Sequence, residues 1–307
     1  MDQVSHSRPQ ARPGAEAGEP QLDAGGLAFC VIAAACFGGI TTFARLAYDG
    51  GAAPLTLIVG RTAVALLLIS LLMLALKRRV RVAPRNRKAT FFISLGFGLV
   101  SFCYLSAVFF IPVSLAALIF YLYPLIVAIT IPALDGRRLG GAAVLAFGTA
   151  FVGLALALGP AFQSLDWRGL LLAFGAALSL AFCYVLRSRA LADLDSLTLS
   201  FWLNLIGTVV FLPTLLLPGT FALPETSVSW AGLTGACLAY SVAVVTQFVA
   251  IGRAGATRTA LILNLEPVIS ILAAAALLGE RLSPLQIAGV ALVLLAVMTS
   301  ARARLTR

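Results

Sequence analysis

"SLAALIFYLYPLIVAITIPALDGRRLGG", residues 114–141, and "TRTALILNLEPVISILAAAALLGERLSP", residues 257–284, are one passage written twice. A shift of 143 residues puts Pro124 on Pro267, Gly136 on Gly279, Arg138 on Arg281 and Leu139 on Leu282. Ala117, Leu118 and Ile119 fall on Ala260, Leu261 and Ile262, and further upstream Gly26 and Leu27 fall on Gly169 and Leu170. One residue from that offset, "LTL" at 55–57 matches "LTL" at 197–199. Apolar composition alone produces chance matches among Leu, Ala and Ile. It does not so readily hold Pro, Gly and an Arg-Leu pair in register, so the chain reads as a duplicated unit.

The solvent for that unit follows from composition. Of 307 residues, 61% are hydrophobic and only 11% charged, against about 25% charged in a soluble domain. There is too little polar surface to face water. Apolar runs recur along the whole chain, each long enough to cross about 30 Å of hydrocarbon at about 1.5 Å per residue. The short alternating segments of an outer-membrane barrel are absent. The expected class is an all-α polytopic membrane protein.

Ten spans are predicted, at 27–47, 54–76, 90–110, 113–134, 140–158, 167–187, 197–217, 228–251, 257–278 and 283–300. They group as a first five-helix repeat over 25–158 and a second over 167–300. A polar tail at 1–24, expected to be disordered, precedes them, and a short basic tail at 301–307 follows. The short loops place neighbouring helices antiparallel and leave no room for a catalytic or nucleotide-binding domain. With both termini on one side, that side collects 18 of the 22 Lys and Arg residues, including "KRRVRVAPRNRK" at 77–88. The positive-inside rule makes it the cytoplasmic side. The net charge of +10 is thereby read as topology, with no nucleic-acid partner.

Five helices per unit is an odd number, so the second copy must enter the membrane from the opposite side. The result is a 5+5 inverted repeat, an architecture that exchanges inward- and outward-facing forms around a midplane site. Symmetry thus points to alternating-access transport.

The chain also resembles a known family. Two five-helix halves, "P…GRRL" and "P…GERL" closing each fourth helix, and "RTAVALLLISLL" in the second span are similar to the EamA-type permeases of the drug/metabolite transporter superfamily. The resemblance covers about residues 25–300. It implies a secondary carrier of the cytoplasmic membrane, commonly an exporter of amino acids, metabolites or drugs. Two departures stand out: Arg137 replaces the family's usual acid, and Phe37 occupies a place often held by Trp.

Candidate binding and coupling residues are polar groups at membrane depth. Glu266 is the only acid in the central part of any span. A charge there costs about 2.5 kcal/mol or more without a partner, a proton or water. Arg61 lies seven residues past Pro54, about 10 Å below the outer surface. It comes within about 5 Å of Glu266 in depth by the same rise, which makes it the expected partner. An ion pair, substrate-anion recognition and an outward-snorkelling arginine are all compatible with that depth. If transport is proton-coupled, Glu266 is the residue to protonate.

Tyr104, Tyr121, Tyr123, Asn204, Gln247 and Asn264 complete the set, because polar groups in lipid must face inward. Pro124 and Pro267 each remove a backbone donor and mark a hinge or cavity. "GER" at 279–281 reads as a local acid–base pair closing an outer loop, with Asp135 able to serve the cytoplasmic "GRR". "CFGGITT" at 36–42 and "GFG" at 96–98 read as close helix contacts. Trp167 and Trp230, at span ends, read as interface anchors.

Other functions lack their residues. The five cysteines show no metal-ligand spacing and the single histidine, His6, lies in the tail, so no metal or cofactor is expected. No phosphate-binding loop is present for ATP-driven transport. No catalytic constellation lies at membrane depth, and the chain does not read as an enzyme. A channel or a non-transporting membrane subunit is the competing class. The expected partners are a small-molecule substrate, the bilayer and a coupling proton; the sequence leaves the oligomeric state open.

Overall fold

The computed structural model describes residues 24–78, 80–136, 141–158, 166–190 and 194–305. His6 and the tail at 1–23, together with Arg137 and Arg138 of "GRR", lie outside the described residues. Among the described residues every regular element is helical. Seven helical segments are long and apolar enough to cross a membrane. Three shorter apolar helices accompany them, over Val144–Ala157, Glu266–Leu278 and Pro284–Ala296.

The first half runs α1 (Ala24–Asp49), α2 (Pro54–Ala75), α3 (Arg87–Phe110), α4 (Val113–Phe120), α5 (Tyr123–Leu134) and α6 (Gly141–Leu158). The second runs α7 (Trp167–Ala190), α8 (Ser196–Phe211), α9 (Ser227–Ala254), α10 (Ala256–Leu263), α11 (Glu266–Leu278) and α12 (Pro284–Leu305). Several starts are set by local chemistry. Pro54 opens α2, where its missing N–H costs nothing. Asp195 and Thr226 cap α8 and α9 by accepting backbone N–H groups with their side chains.

Two expected spans differ from a single helix. The segment 113–134 is α4 followed by α5, and 257–278 is α10 followed by α11. The breaks fall on Tyr121-Leu122 and Asn264-Leu265, positions that the 143-residue shift superposes. Pro124 and Pro267 each sit in the first turn of the second piece, so they start a helix instead of bending one. Each removes the N–H that the carbonyl four residues earlier would take. A tight turn spans each gap, with Leu122 N–H donating to Ile119 (3.1 Å) and Leu265 N–H to Ile262 (3.0 Å). The seventh predicted span is also shorter as an α-helix. It passes at Leu212 into a 3-10 segment, Leu212–Leu216.

The halves interlock. The first helix of each packs on the third full helix of the other, α1 on α9 and α7 on α3, while α6 pairs with α12. Lipid supplies no hydrophobic drive between helices, so contact depends on close backbone approach through small residues. At the α6–α12 crossing a Cβ on Gly289 would lie 2.4 Å from the Gly153 carbonyl oxygen. In "CFGGITT", a Cβ on Gly38 would lie 2.8 Å from the Glu266 carbonyl oxygen. The small-residue segment therefore presses α1 directly against the start of α11. Leucines such as Leu67, Leu71 and Leu74 on α2 face outward, as a lipid-facing stripe should.

Candidate functional site

Glu266 opens α11 just after the second break and is half-buried. Its carboxyl meets the Tyr121 hydroxyl, which comes from the equivalent break in the first half. The whole of α4 is buried, so Tyr121 at its end is fixed in the centre of the molecule. Tyr104 on α3 stacks on Phe120, with ring centroids 4.2 Å apart. Its hydroxyl interacts with Thr41 and Ser270, whose own hydroxyls lie 2.9 Å apart and tie α1 to α11. Tyr123 stacks on Tyr184 of α7 at 5.4 Å and lies 5.9 Å from Tyr121.

Four tyrosines from α3, the first break, α5 and α7 thus gather around one carboxyl. Tyr104, Tyr123 and Glu266 are half-buried and Tyr184 is 45% exposed, so the cluster can be reached from outside the packed core. Among the described residues no Lys or Arg lies within ion-pair distance of Glu266.

Arg61 does not pair with Glu266. Its guanidinium donates to Ser101 Oγ of α3 at 2.5 Å and lies over the Tyr240 ring of α9, 4.3 Å from the centroid. It is 7% exposed, and Nε is buried without an acceptor. Tyr48 and Cys237 are also near, and the Tyr48 hydroxyl is likewise buried without a partner. Arg61 and Glu266 occupy two separate polar clusters that share α3 through Ser101 and Tyr104. Depth placed the two residues at one level; the rotation of each helix about its axis sent them to different neighbours.

The remaining candidates divide. Asn264 lies in the second break, half-buried beside Glu266 in sequence. Gln247 is half-buried on α9. Asn204 is buried on α8, where its amide donates back to the Ser200 carbonyl at 2.8 Å and its Oδ1 has no partner. Neither Asn204 nor Gln247 is brought to the tyrosine cluster by any contact. Tyr184 belongs to that cluster but carries no sequence signal. The repeat sets it against Thr41, and only the packing of α7 on α5 reveals it.

Glu280 of "GER" makes no pair with Arg281. Its carboxylate accepts the Val113 N–H (2.8 Å), the Ser114 N–H (3.1 Å) and the Ser114 hydroxyl (2.7 Å) at the start of α4. An acid of the second half therefore caps a buried half-helix of the first. Negative charge is favoured at a helix N-terminus by the dipole and the unsatisfied N–H groups. Asp135 accepts from Arg189 of α7 at 2.5 Å; the arginines of "GRR" expected as its partners lie outside the described residues. Trp167 and Trp230 sit exposed in the first turns of α7 and α9, the expected position for interface anchors. Among the described residues no group of His, Cys, Asp and Glu could hold a metal.

Duplication and a broken helix in each half are a build found in many polytopic small-molecule transporters. The family is specific: a model of the EamA-like transporter family matches residues 24–159 and again 167–302, and the chain belongs to that family. A solved structure titled "Crystal structure of protein" is similar at a TM-score of 0.65 and 20% identity. The match covers 92% of this chain and 99% of that one, and it shows a shared fold. No curated protein matches significantly.

Proposed function

We propose that this protein is a secondary transporter that moves a small organic metabolite across the cytoplasmic membrane by alternating access, in the export direction. The observation that carries the reading is the pair of helix breaks at equivalent positions, with Tyr121 and Tyr123 at one and Asn264 and Glu266 at the other. Broken helices at corresponding positions of two repeats mark the substrate site in transporter folds. In this reading the chain crosses the membrane ten times, α4 with α5 and α10 with α11 each making one crossing. The halves are inverted relative to each other, and both termini are cytoplasmic, in line with the distribution of Lys and Arg.

The tyrosine cluster is the substrate site in this proposal. Its rings offer stacking surfaces for an apolar or aromatic body, and Glu266 offers a carboxylate for a cationic group or a proton. Arg61, held to α3 through Ser101 and lying over Tyr240, is the element available to an anionic group. Pro124 and Pro267 are the hinges, since each starts the half-helix that must tilt when the access side changes. The Glu280 cap holds the outer end of α4 in the arrangement described above, which corresponds to a state closed on the outside.

Reconstituted protein tests the reading. Proteoliposomes loaded with unlabelled amino acids or aromatic metabolites should take up labelled substrate by saturable counterflow. Linear, non-saturating flux would support a channel, and no flux for any compound class would support a non-transporting subunit.

A further inference from the structure

The run "KRRVRVAPRNRK" has a structure that its topogenic role does not require. Residues 80–86, which lead into α3, lie beside α8 and border an open groove of about 1410 Å³. This exceeds the usual 300–1,000 Å³ or so of a small-molecule pocket. Trp202 of α8 holds the loop in place, its indole N–H donating to the Val80 carbonyl at 3.1 Å. The inner wall is apolar, formed by Val82, Phe91, Trp202 and Ile206, and the rim carries Arg81 and Arg87.

Both arginines are exposed. Arg81 has no hydrogen bond or ion pair within the described residues, and Arg87 uses only Nε, toward the Val82 carbonyl. No acid occurs anywhere between Asp49 and Asp135. Asp195, at the start of α8, is occupied in capping Thr198. Cationic rim and apolar wall meet at neighbouring ends of two segments long and apolar enough to cross a membrane, Pro54–Ala75 and Pro84–Phe110, where headgroups would lie in the topology proposed above.

The geometry points to a binding site for an anionic phospholipid, with the phosphate on Arg81 and Arg87 and the acyl chains along Phe91, Trp202 and Ile206. Basic pockets beside spans bind acidic headgroups through this combination of charge and position. The apolar wall selects a lipid over free phosphate, which shares the charge but has nothing to place against Phe91 and Ile206. Position at the membrane boundary and assignment to the inner leaflet rest on the topology proposed above.

Native mass spectrometry of the detergent-solubilised full chain tests the site, titrated with phosphatidylglycerol or with phosphatidylcholine of the same chains. Phosphatidylglycerol should be retained several-fold more strongly, and R81Q/R87Q should lower that retention on the order of tenfold. R85Q/K88Q removes the same charge from residues that do not line the groove and should retain the lipid. Equal retention of the two lipids, or no change in R81Q/R87Q, overturns the proposal. An equal loss in R85Q/K88Q overturns it too, since diffuse surface charge then suffices. In a melting assay, stabilisation by inorganic phosphate or glycerol phosphate equal to that by phosphatidylglycerol would overturn the lipid in favour of a simple anion. None of these readouts depends on transport, so the site stands or falls apart from the transporter reading.

Discussion

Glu280 accepts the backbone N–H of Val113 at 2.8 Å across the two halves of the chain. With the two contacts to Ser114, one carboxylate of the second repeat completes the N-terminus of a half-helix in the first. The equivalent position of the first repeat is Arg137, whose charge is opposite to the one a helix N-terminus favours. The two repeats therefore differ in the sign of the charge they carry at this position.

Replacing Glu280 by Ala should destabilise the contact between the two repeats at the start of α4 by about 0.5–2 kcal/mol, the usual worth of a lost N-cap. Glu280→Gln should lose less, because a neutral amide oxygen can still accept one N–H. The check is external labelling of Ala116→Cys, buried here, by a membrane-impermeant thiol reagent. Labelling should rise in the order wild type, Gln, Ala; identical labelling in all three would show that the cap does not secure this contact.

Glu266→Gln should abolish transport driven by a proton gradient while sparing exchange of substrate for substrate. The amide keeps the shape of the side chain and its contact with Tyr121 but cannot carry the charge. Wild-type flux under a pH gradient would remove Glu266 from coupling.

Arg61 gives a different expectation now that its partners are Ser101 and Tyr240. Arg61→Ala should reduce transport of a carboxylate- or phosphate-bearing substrate more than that of a neutral one, by roughly tenfold or more if a charge-assisted contact is lost. Loss of both to the same degree would assign Arg61 to bracing α2 against α3 and α9. In that case Tyr240→Leu should by itself lower stability by about 0.5–2 kcal/mol, the range of a cation–π contact, measured as thermal melting in detergent.

Gly289→Leu should separate α12 from α6, since even a Cβ there would meet the Gly153 carbonyl oxygen at 2.4 Å. Overpacking of this kind costs about 1–3 kcal/mol. Gly136→Ala, where a Cβ would meet nothing within 4 Å but φ is +65°, should cost only backbone strain of about 1 kcal/mol. Equal melting temperatures for the two variants would contradict the close crossing.

Much of the architecture is legible in the sequence. Apolar composition made the chain helical and membrane-embedded, and Pro124 and Pro267 in register exposed the duplication. Those two prolines also located the helix breaks, although a kinked single helix and two pieces joined by a turn look identical in sequence. The difference lies in Tyr121-Leu122 and Asn264-Leu265, whose backbone closes in a tight turn that no residue preference there demands.

Partnership was not legible. Helical rise fixes how deep Arg61 and Glu266 lie, but each residue turns about 100° around its helix, so depth leaves the direction of the side chain undetermined. Glu280 illustrates the same point over a longer distance: Arg281 is adjacent in sequence, yet the carboxylate reaches Ser114, 166 positions away. Sequence by itself determined the solvent, the duplication and the identity of the ionisable groups, because these depend on composition and register along one dimension. Only the tertiary structure decided which groups meet, placing Glu266 among tyrosines and Arg61 on Ser101 and Tyr240. Contact depends on how each helix is rotated and which neighbours its small residues admit.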